Sequence, residues 1–204
     1  MHSDALPQGT VAAKVQEATG ASPLACYQCG RCSAGCPQNV PGDMDLSPTH
    51  ILRLLQLEAA FAGDAEMAER YRKRALESVT PWLCAGCQAC STRCPQGVDI
   101  AGIMDVLRHE SLQRGCASTA APARAAQAEH AIMLAMALNQ GRIHELSTVV
   151  RLKMHTGRLF EDALMGLEMF RKGKLNILPP RGPDNERLKR ALERFRADDA
   201  PSGH

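Results

Sequence analysis

Eight of the nine cysteines fall into two copies of one string, C-x-x-C-x-x-C-x-x-x-C-P: Cys26, Cys29, Cys32 and Cys36 before Pro37, then Cys84, Cys87, Cys90 and Cys94 before Pro95. This repeat constrains the fold more than any other feature. Three cysteines at i, i+3 and i+6 let one tight loop wrap three corners of a cubane [4Fe–4S] cluster, with backbone N–H groups turned toward the sulfides. The proline after the fourth cysteine lacks an N–H and biases that cysteine to extended backbone, which turns the chain away from its own loop. Where a chain carries two such runs, the fourth cysteine ligates the other cluster. Two [4Fe–4S] clusters are therefore expected, the first on Cys26, Cys29, Cys32 and Cys94, the second on Cys84, Cys87, Cys90 and Cys36. The loops must then pack face to face. Gly30, Gly35 and Gly86 lie inside them, either as ordinary turn glycines or where a missing Cβ permits positive φ and close approach of backbone to an inorganic core.

Two other uses of cysteine compete. A disulfide scaffold needs an oxidising compartment, yet the start MHSDALPQGT lacks a secretory pattern and the cysteine count is odd. Structural zinc is satisfied by two C-x-x-C pairs, which leaves the third and fourth cysteines and their prolines without a reason. Thiolates kept free for iron and the missing export pattern place the protein in the cytoplasm. The formal charge of +2 is too small to suggest nucleic acid, and no apolar run approaches the length of a membrane span. The richest such run lies between His130 and Leu138.

Aromatic residues make up only 3% of the chain and alanine is abundant, which favours close-packed helices over sheets. The expected fold is all-α: an α-helical ferredoxin with two [4Fe–4S] loops and appended C-terminal helices. A short helix over 11–19 stops at Gly20. Ser47 caps a helix with Pro48 at its first position and Ile51, Leu54 and Leu55 on one face. Gly63 and Asp64 break that run before a charged helix over 65–78. Asp99 caps a helix whose stripe is Ile100, Ile103, Met104 and Leu107, ending at Gly115. Further helical patterns cover 124–139, 142–154 and 158–172, stopped by Gly173 and the pair Pro179 and Pro180. The domain plan is a tail over 1–20, a dicluster domain over 21–115, a linker over 116–123, a helical segment over 124–180 and a charged tail over 181–204. Within that tail a charged helix starts after Asp184.

Several residues invite a sharper role. Cys116 has no partner and reads as a small buried side chain rather than a reactive thiol. The scattered histidines show no metal spacing. Arg31 and Arg93 stand in or beside the loops, either as cations that favour the reduced cluster or as ordinary surface residues. Trp82 either covers the second cluster or packs the core. Met133, Met136, Met154, Met165 and Met169 read as core filler or as a docking face.

The strings CYQCGRCSAGCP (26–37) and TPWLCAGCQACSTRCPQGVDI (80–100) resemble the C subunit of heterodisulfide reductase and its bacterial relatives. LSPTHILRLLQL (46–57) and GRLFEDALMGLEMFRKGKLNILP (157–179) are similar to that family too. The resemblance implies an electron-transfer subunit with no active site of its own, its ligands being the eight cysteines. It implies a hetero-oligomer in which electrons pass between a flavin-containing A subunit and a catalytic B subunit with CCG domains and noncubane clusters that acts on disulfides. The alanine- and arginine-rich composition points to a bacterial version, and some bacteria use a related complex to oxidise sulfane sulfur, with a lipoate-bearing carrier protein. The alternative is the iron–sulfur subunit of another flavin oxidoreductase of glycolate or glycerol-3-phosphate type. Those subunits usually add cysteine-rich domains, and this chain has no cysteine beyond Cys116.

Overall fold

The structure, a computed structural model, describes residues 6–39, 43–157, 163–174 and 185–198. Its elements are α1 (Val11–Thr19), a 3-10 turn (Pro23–Ala25), α2 (Arg31–Ala34), α3 (Pro48–Ala60), α4 (Ala65–Leu76), α5 (Thr80–Leu83), α6 (Ala89–Arg93), α7 (Ile100–Gln113), α8 (Ala121–Gln140), α9 (Glu145–Thr156), α10 (Ala163–Arg171) and α11 (Asn185–Asp198). There is no strand among the described residues. The chain divides into two compact units, residues 1–124 and 125–204.

In the first unit four helices supply the core. Val11 and Val15 of α1, Ile51, Leu52 and Leu55 of α3, Leu76 of α4, and Ile103, Met104 and Leu107 of α7 are all buried in one cluster. The i, i+3, i+4 spacing puts each set on one helix face, and burial of each large side chain stabilises the unit by about 1.5–3 kcal/mol. α1 packs on α3 and α7, and α4 packs on α3 and α7. The helix expected over 11–19 is present as α1, and its Val11, Ala12 and Val15 belong to this core.

Local signals explain where the helices begin and end. The Thr10 hydroxyl accepts from Ala13 N at 3.1 Å, and Gly20 closes α1 in the left-handed region at φ 70°. Asp64 Oδ1 accepts from Glu66 N and Met67 N, each at 3.1 Å. Asp99 Oδ1 accepts from Gly102 N at 3.1 Å. Ser47 occupies the cap position before Pro48 as expected, but its hydroxyl meets His50 Nδ1 at 3.3 Å instead of the helix N–H groups.

Two buried carboxylates tie these helices together. Glu58, wholly buried on α3, accepts from Val11 N at 2.9 Å and from Arg72 Nε at 2.8 Å. Glu110 on α7 holds Lys14 at 2.5 Å and Arg114 at 3.2 Å. A lone carboxylate would not survive such burial, so each is kept by its cations and N–H groups.

In the second unit Met136 is buried and accepts from the Thr148 hydroxyl at 3.2 Å, while His144 caps α9 through Ser147 N. Met154, Met165 and Met169 are exposed, together with Val149, Val150 and Phe170. Core filling therefore accounts for Met136 and not for those three. α8 starts at Ala121, inside the stretch expected as a linker. The charged segment forms α11 from Asn185. Pro179, Pro180 and residues 1–5, 40–42, 158–162 and 199–204 lie outside the described residues.

Candidate iron–sulfur site

The two cysteine loops adopt one conformation twice. Each carries a left-handed residue two places after its first cysteine, Gln28 (φ 64°) or Gly86 (φ 62°), and another two places further on, Gly30 (φ 77°) or Gln88 (φ 61°). Glycine and glutamine exchange places between the loops. A left-handed glutamine is uncommon, and no sequence signal marks it. Each loop then enters a short helix, α2 or α6, and these two helices pack on each other.

The longer helices after the loops repeat the same bonds. Ser33 accepts from Thr49 N at 3.0 Å at the start of α3, and Ser91 accepts from Ala101 N at 3.2 Å at the start of α7. Gln56 Nε2 donates to the carbonyls of Pro23 (3.2 Å) and Cys26 (2.6 Å). At the matching place in the second half, Arg108 donates from Nε to the Pro81 carbonyl at 2.7 Å and also to the Cys84 carbonyl. Each long helix thus holds the entry of its own loop, by an amide in one half and a guanidinium in the other. Asp45 supports the second entry from outside, accepting from Ser78 Oγ at 2.6 Å, Val79 N at 3.1 Å and Thr80 Oγ1 at 3.2 Å.

The cysteines gather across the loops. Cys36 lines one cavity with Cys84, Cys87 and Cys90, walled by Pro48, Ile100, Ala101 and Met104, with about 430 Å³ of empty volume that includes open solvent. Burial pushes the Cys84 thiol above the ordinary range, Gly86 N–H and Arg108 oppose the rise, and Asp105 and Cys36 add to it. Burial likewise raises Cys26; the Gln28 N–H opposes, while Cys32, Cys94 and Cys29 add to the rise. Burial raises Cys90 against hydrogen bonds from Ser91. Thiols that repel one another as thiolates call for a cation between them. The donor set therefore suits an iron–sulfur cluster. All nine cysteines are free of disulfides.

Donors surround the first loop. Gln28 N lies 3.4 Å and Gln28 Nε2 3.7 Å from Cys26 Sγ. The Thr49 hydroxyl stands 3.3 Å from Cys32 Sγ. Tyr27, 57% exposed, has its hydroxyl pushed up by the neighbouring Cys29 thiol. Cys29 and Cys87 are exposed, and the remaining loop cysteines are partly or fully covered.

Of the glycines singled out in the sequence, Gly30 and Gly86 use positive φ, whereas Gly35 does not (φ −101°). Gly35 instead faces an arginine: a β-carbon there would fall 1.8 Å from Arg93 Nη1. Arg31 and Arg93 line a surface groove between α2 and α6. Trp82 is buried. Cys116 is half-buried and its thiol is raised by burial.

This all-helical frame with two like loops is consistent with an all-α 4Fe-4S dicluster ferredoxin. Residues 25–98 match the 4Fe-4S dicluster domain family. The chain is similar to the C subunit of the ferredoxin:CoB-CoM heterodisulfide reductase of Methanosarcina mazei, 29% identical over 102 residues that cover 50% of this chain and 54% of that protein. It is similar to the C subunit of the H(2):CoB-CoM heterodisulfide,ferredoxin reductase of Methanothermobacter marburgensis, 26% identical over 102 residues covering 50% and 48%. The second iron-sulfur C subunit of the CoB--CoM heterodisulfide reductase of Methanocaldococcus jannaschii is 34% identical over 91 residues, covering 45% and 41%. Over about half its length the chain is thus similar to C subunits of heterodisulfide reductases. It spans about half the length of the curated relatives it matches.

Proposed function

We propose that this chain carries electrons through two [4Fe–4S] clusters as the iron–sulfur subunit of a heterodisulfide reductase-like complex. The observation that supports it best is the crossing of the fourth cysteines: Cys36 shares a cavity with Cys84, Cys87 and Cys90, and Cys94 acts electrostatically on Cys26 of the other loop. The ligand sets are Cys26, Cys29, Cys32 and Cys94 for one cluster and Cys84, Cys87, Cys90 and Cys36 for the other. Each cubane takes up and returns one electron. The helices α3 and α7 fix the loop entries, and the packing of α2 on α6 keeps the two sites adjacent, so transfer between them needs no moving part.

Cys29 and Cys87 bring one edge of each site to the surface, where a donor and an acceptor can approach. The partners are a flavin-bearing A subunit and a disulfide-handling B subunit, in the cytoplasm. No described helix is long and apolar enough to cross a membrane. The exposed Met154, Met165 and Met169 suit docking to the disulfide-handling partner, since methionine adapts to irregular partner surfaces.

Anaerobic isolation of the native assembly tests this reading. The chain should carry about eight irons, become reduced by dithionite, show no turnover alone and copurify with flavin-bearing and cysteine-rich subunits. Stoichiometric zinc, or a chain isolated with neither partner, would overturn it.

A further inference from the structure

The two halves of the dicluster unit serve as each other's control, because every residue of loop one has a counterpart at the same place in loop two. Backbone donors are shared: Gln28 N approaches Cys26 and Gly86 N approaches Cys84. Ser33 and Ser91 are matched as acceptors from the N–H groups of Thr49 and Ala101, and each has an oxygen partner for its own proton, Thr49 for Ser33 and Asp99 Oδ1 at 2.8 Å for Ser91. The other side-chain donors are not matched. Gln28 places its amide on Cys26 Sγ while also bonding Gln56 at 3.0 Å, and its counterpart is Gly86. The Thr49 hydroxyl reaches Cys32 Sγ at 3.3 Å, and its counterpart is Ala101. A cluster-bound cysteine is a thiolate and can only accept, so Thr49 must donate there. The Ser33 hydroxyl, 2.6 Å from Thr49 Oγ1, is free to donate in turn to Thr49.

We propose that Gln28 and Thr49 hold the cluster on Cys26, Cys29, Cys32 and Cys94 at a higher reduction potential than its neighbour, so that a single electron shared by the pair rests on the first. Hydrogen bonds to ligand sulfur stabilise the more negative, reduced cluster. The Thr49 bond falls on Cys32, the buried cysteine of the set, where low local dielectric strengthens it. Arg108 pulls the other way beside Cys84, but Asp105 sits 2.7 Å from its guanidinium and offsets that charge. In the first half the matching outer charge is Arg53, which bonds Gln56 at 3.3 Å and lies exposed to solvent screening. Gln28 and Thr49 are positioning and tuning residues; neither touches substrate.

The proposal rests on the ligand reading above, and an EPR-monitored redox titration of the full-length, cluster-loaded protein separates the two. Iron content and the number of one-electron waves test the ligands; two waves are expected. Gln28→Gly with Thr49→Ala, which copies the second half into the first, should move the upper wave down by about tenfold in the one-electron equilibrium, or 59 mV, and leave the lower one in place. Gly86→Gln is the reciprocal variant. Gly86 has the backbone angle that Gln28 already adopts, and nothing lies within 4 Å of an added β-carbon. It should raise the lower wave. Two clusters with an upper wave unmoved by the double variant, or a lower wave moved instead, would overturn the proposal while leaving the ligand sets standing.

Discussion

Arg93 of the second loop donates from Nη1 to the carbonyl of Gly35 in the first, at 3.1 Å. The two residues hold corresponding places in the repeat, and the guanidinium fills the space where a side chain on residue 35 would begin. Gly35→Ala should therefore expel the guanidinium and break the tie between loops. The arginine end is flexible, so the cost is the lost bond, about 1 kcal/mol. Arg93→Ala should cost as much, and the double variant no more than either alone. Thermal bleaching of the cluster-loaded protein measures all three.

Cys94→Ser and Cys29→Ser should remove the same EPR signal although the residues belong to different strings. Cys36→Ser should remove the other, together with Cys87→Ser. If Cys94→Ser instead matched Cys87→Ser, each loop would close on its own cluster and the crossing would fail.

Glu58→Ala should be severe. It leaves the Val11 N–H without its acceptor and Arg72, 18% exposed, without its buried counterion, at a cost of about 3 kcal/mol. The result expected is a lower unfolding midpoint with the loss centred on α1, read by hydrogen exchange over residues 11–19.

Acid should loosen the entry to the second loop. Partial burial works to raise the Asp45 carboxyl, but bonds from Ser78, Arg74 and Thr80 outweigh it and hold the group below the usual carboxylate range. A depressed folded-state pKa contributes stability that is complete above the unfolded value of about 3.9 and is lost as pH falls through the folded value. Glu110 follows the same sign, burial being outweighed by Lys14 and Arg114. The stability gap between the protein and its Asp45→Asn variant should be constant above about pH 5 and close below about pH 4.

Cys116→Ser should leave both cluster signals unchanged. Its thiol is raised, not lowered, first by burial and then by Glu77, and its N–H is bonded to the Ser111 carbonyl at 2.9 Å. Alkylation of Cys116 at neutral pH should be slow, since the thiolate is the reactive form.

Much of this was legible in the residues. The stops at Gly20 and Gly115, the break at Gly63 and Asp64, the cap Asp99, and the stripe Ile100, Ile103, Met104 and Leu107 are local signals, written within a helical turn or two. The short helices α2, α5 and α6 carried no such period. Gln28 and Gln88 looked like ordinary polar residues, because a left-handed glutamine is imposed by a loop that must turn around a cluster and not by its own preference. The helix over 11–19 is legible, but a nine-residue amphipathic stretch does not announce the partner that buries it.

Written in the chain alone are the two cysteine strings, their prolines, the helices between them and hence the chemistry the protein can hold, since ligand type and spacing are properties of neighbours along the backbone. Packing was needed to anchor α1 on Glu58, to set Asp45 under the entry before Cys84, and to require a glycine opposite Arg93. Each of these joins residues far apart in the chain, and the energy of such a contact exists only once folding has excluded water and brought both partners to one place.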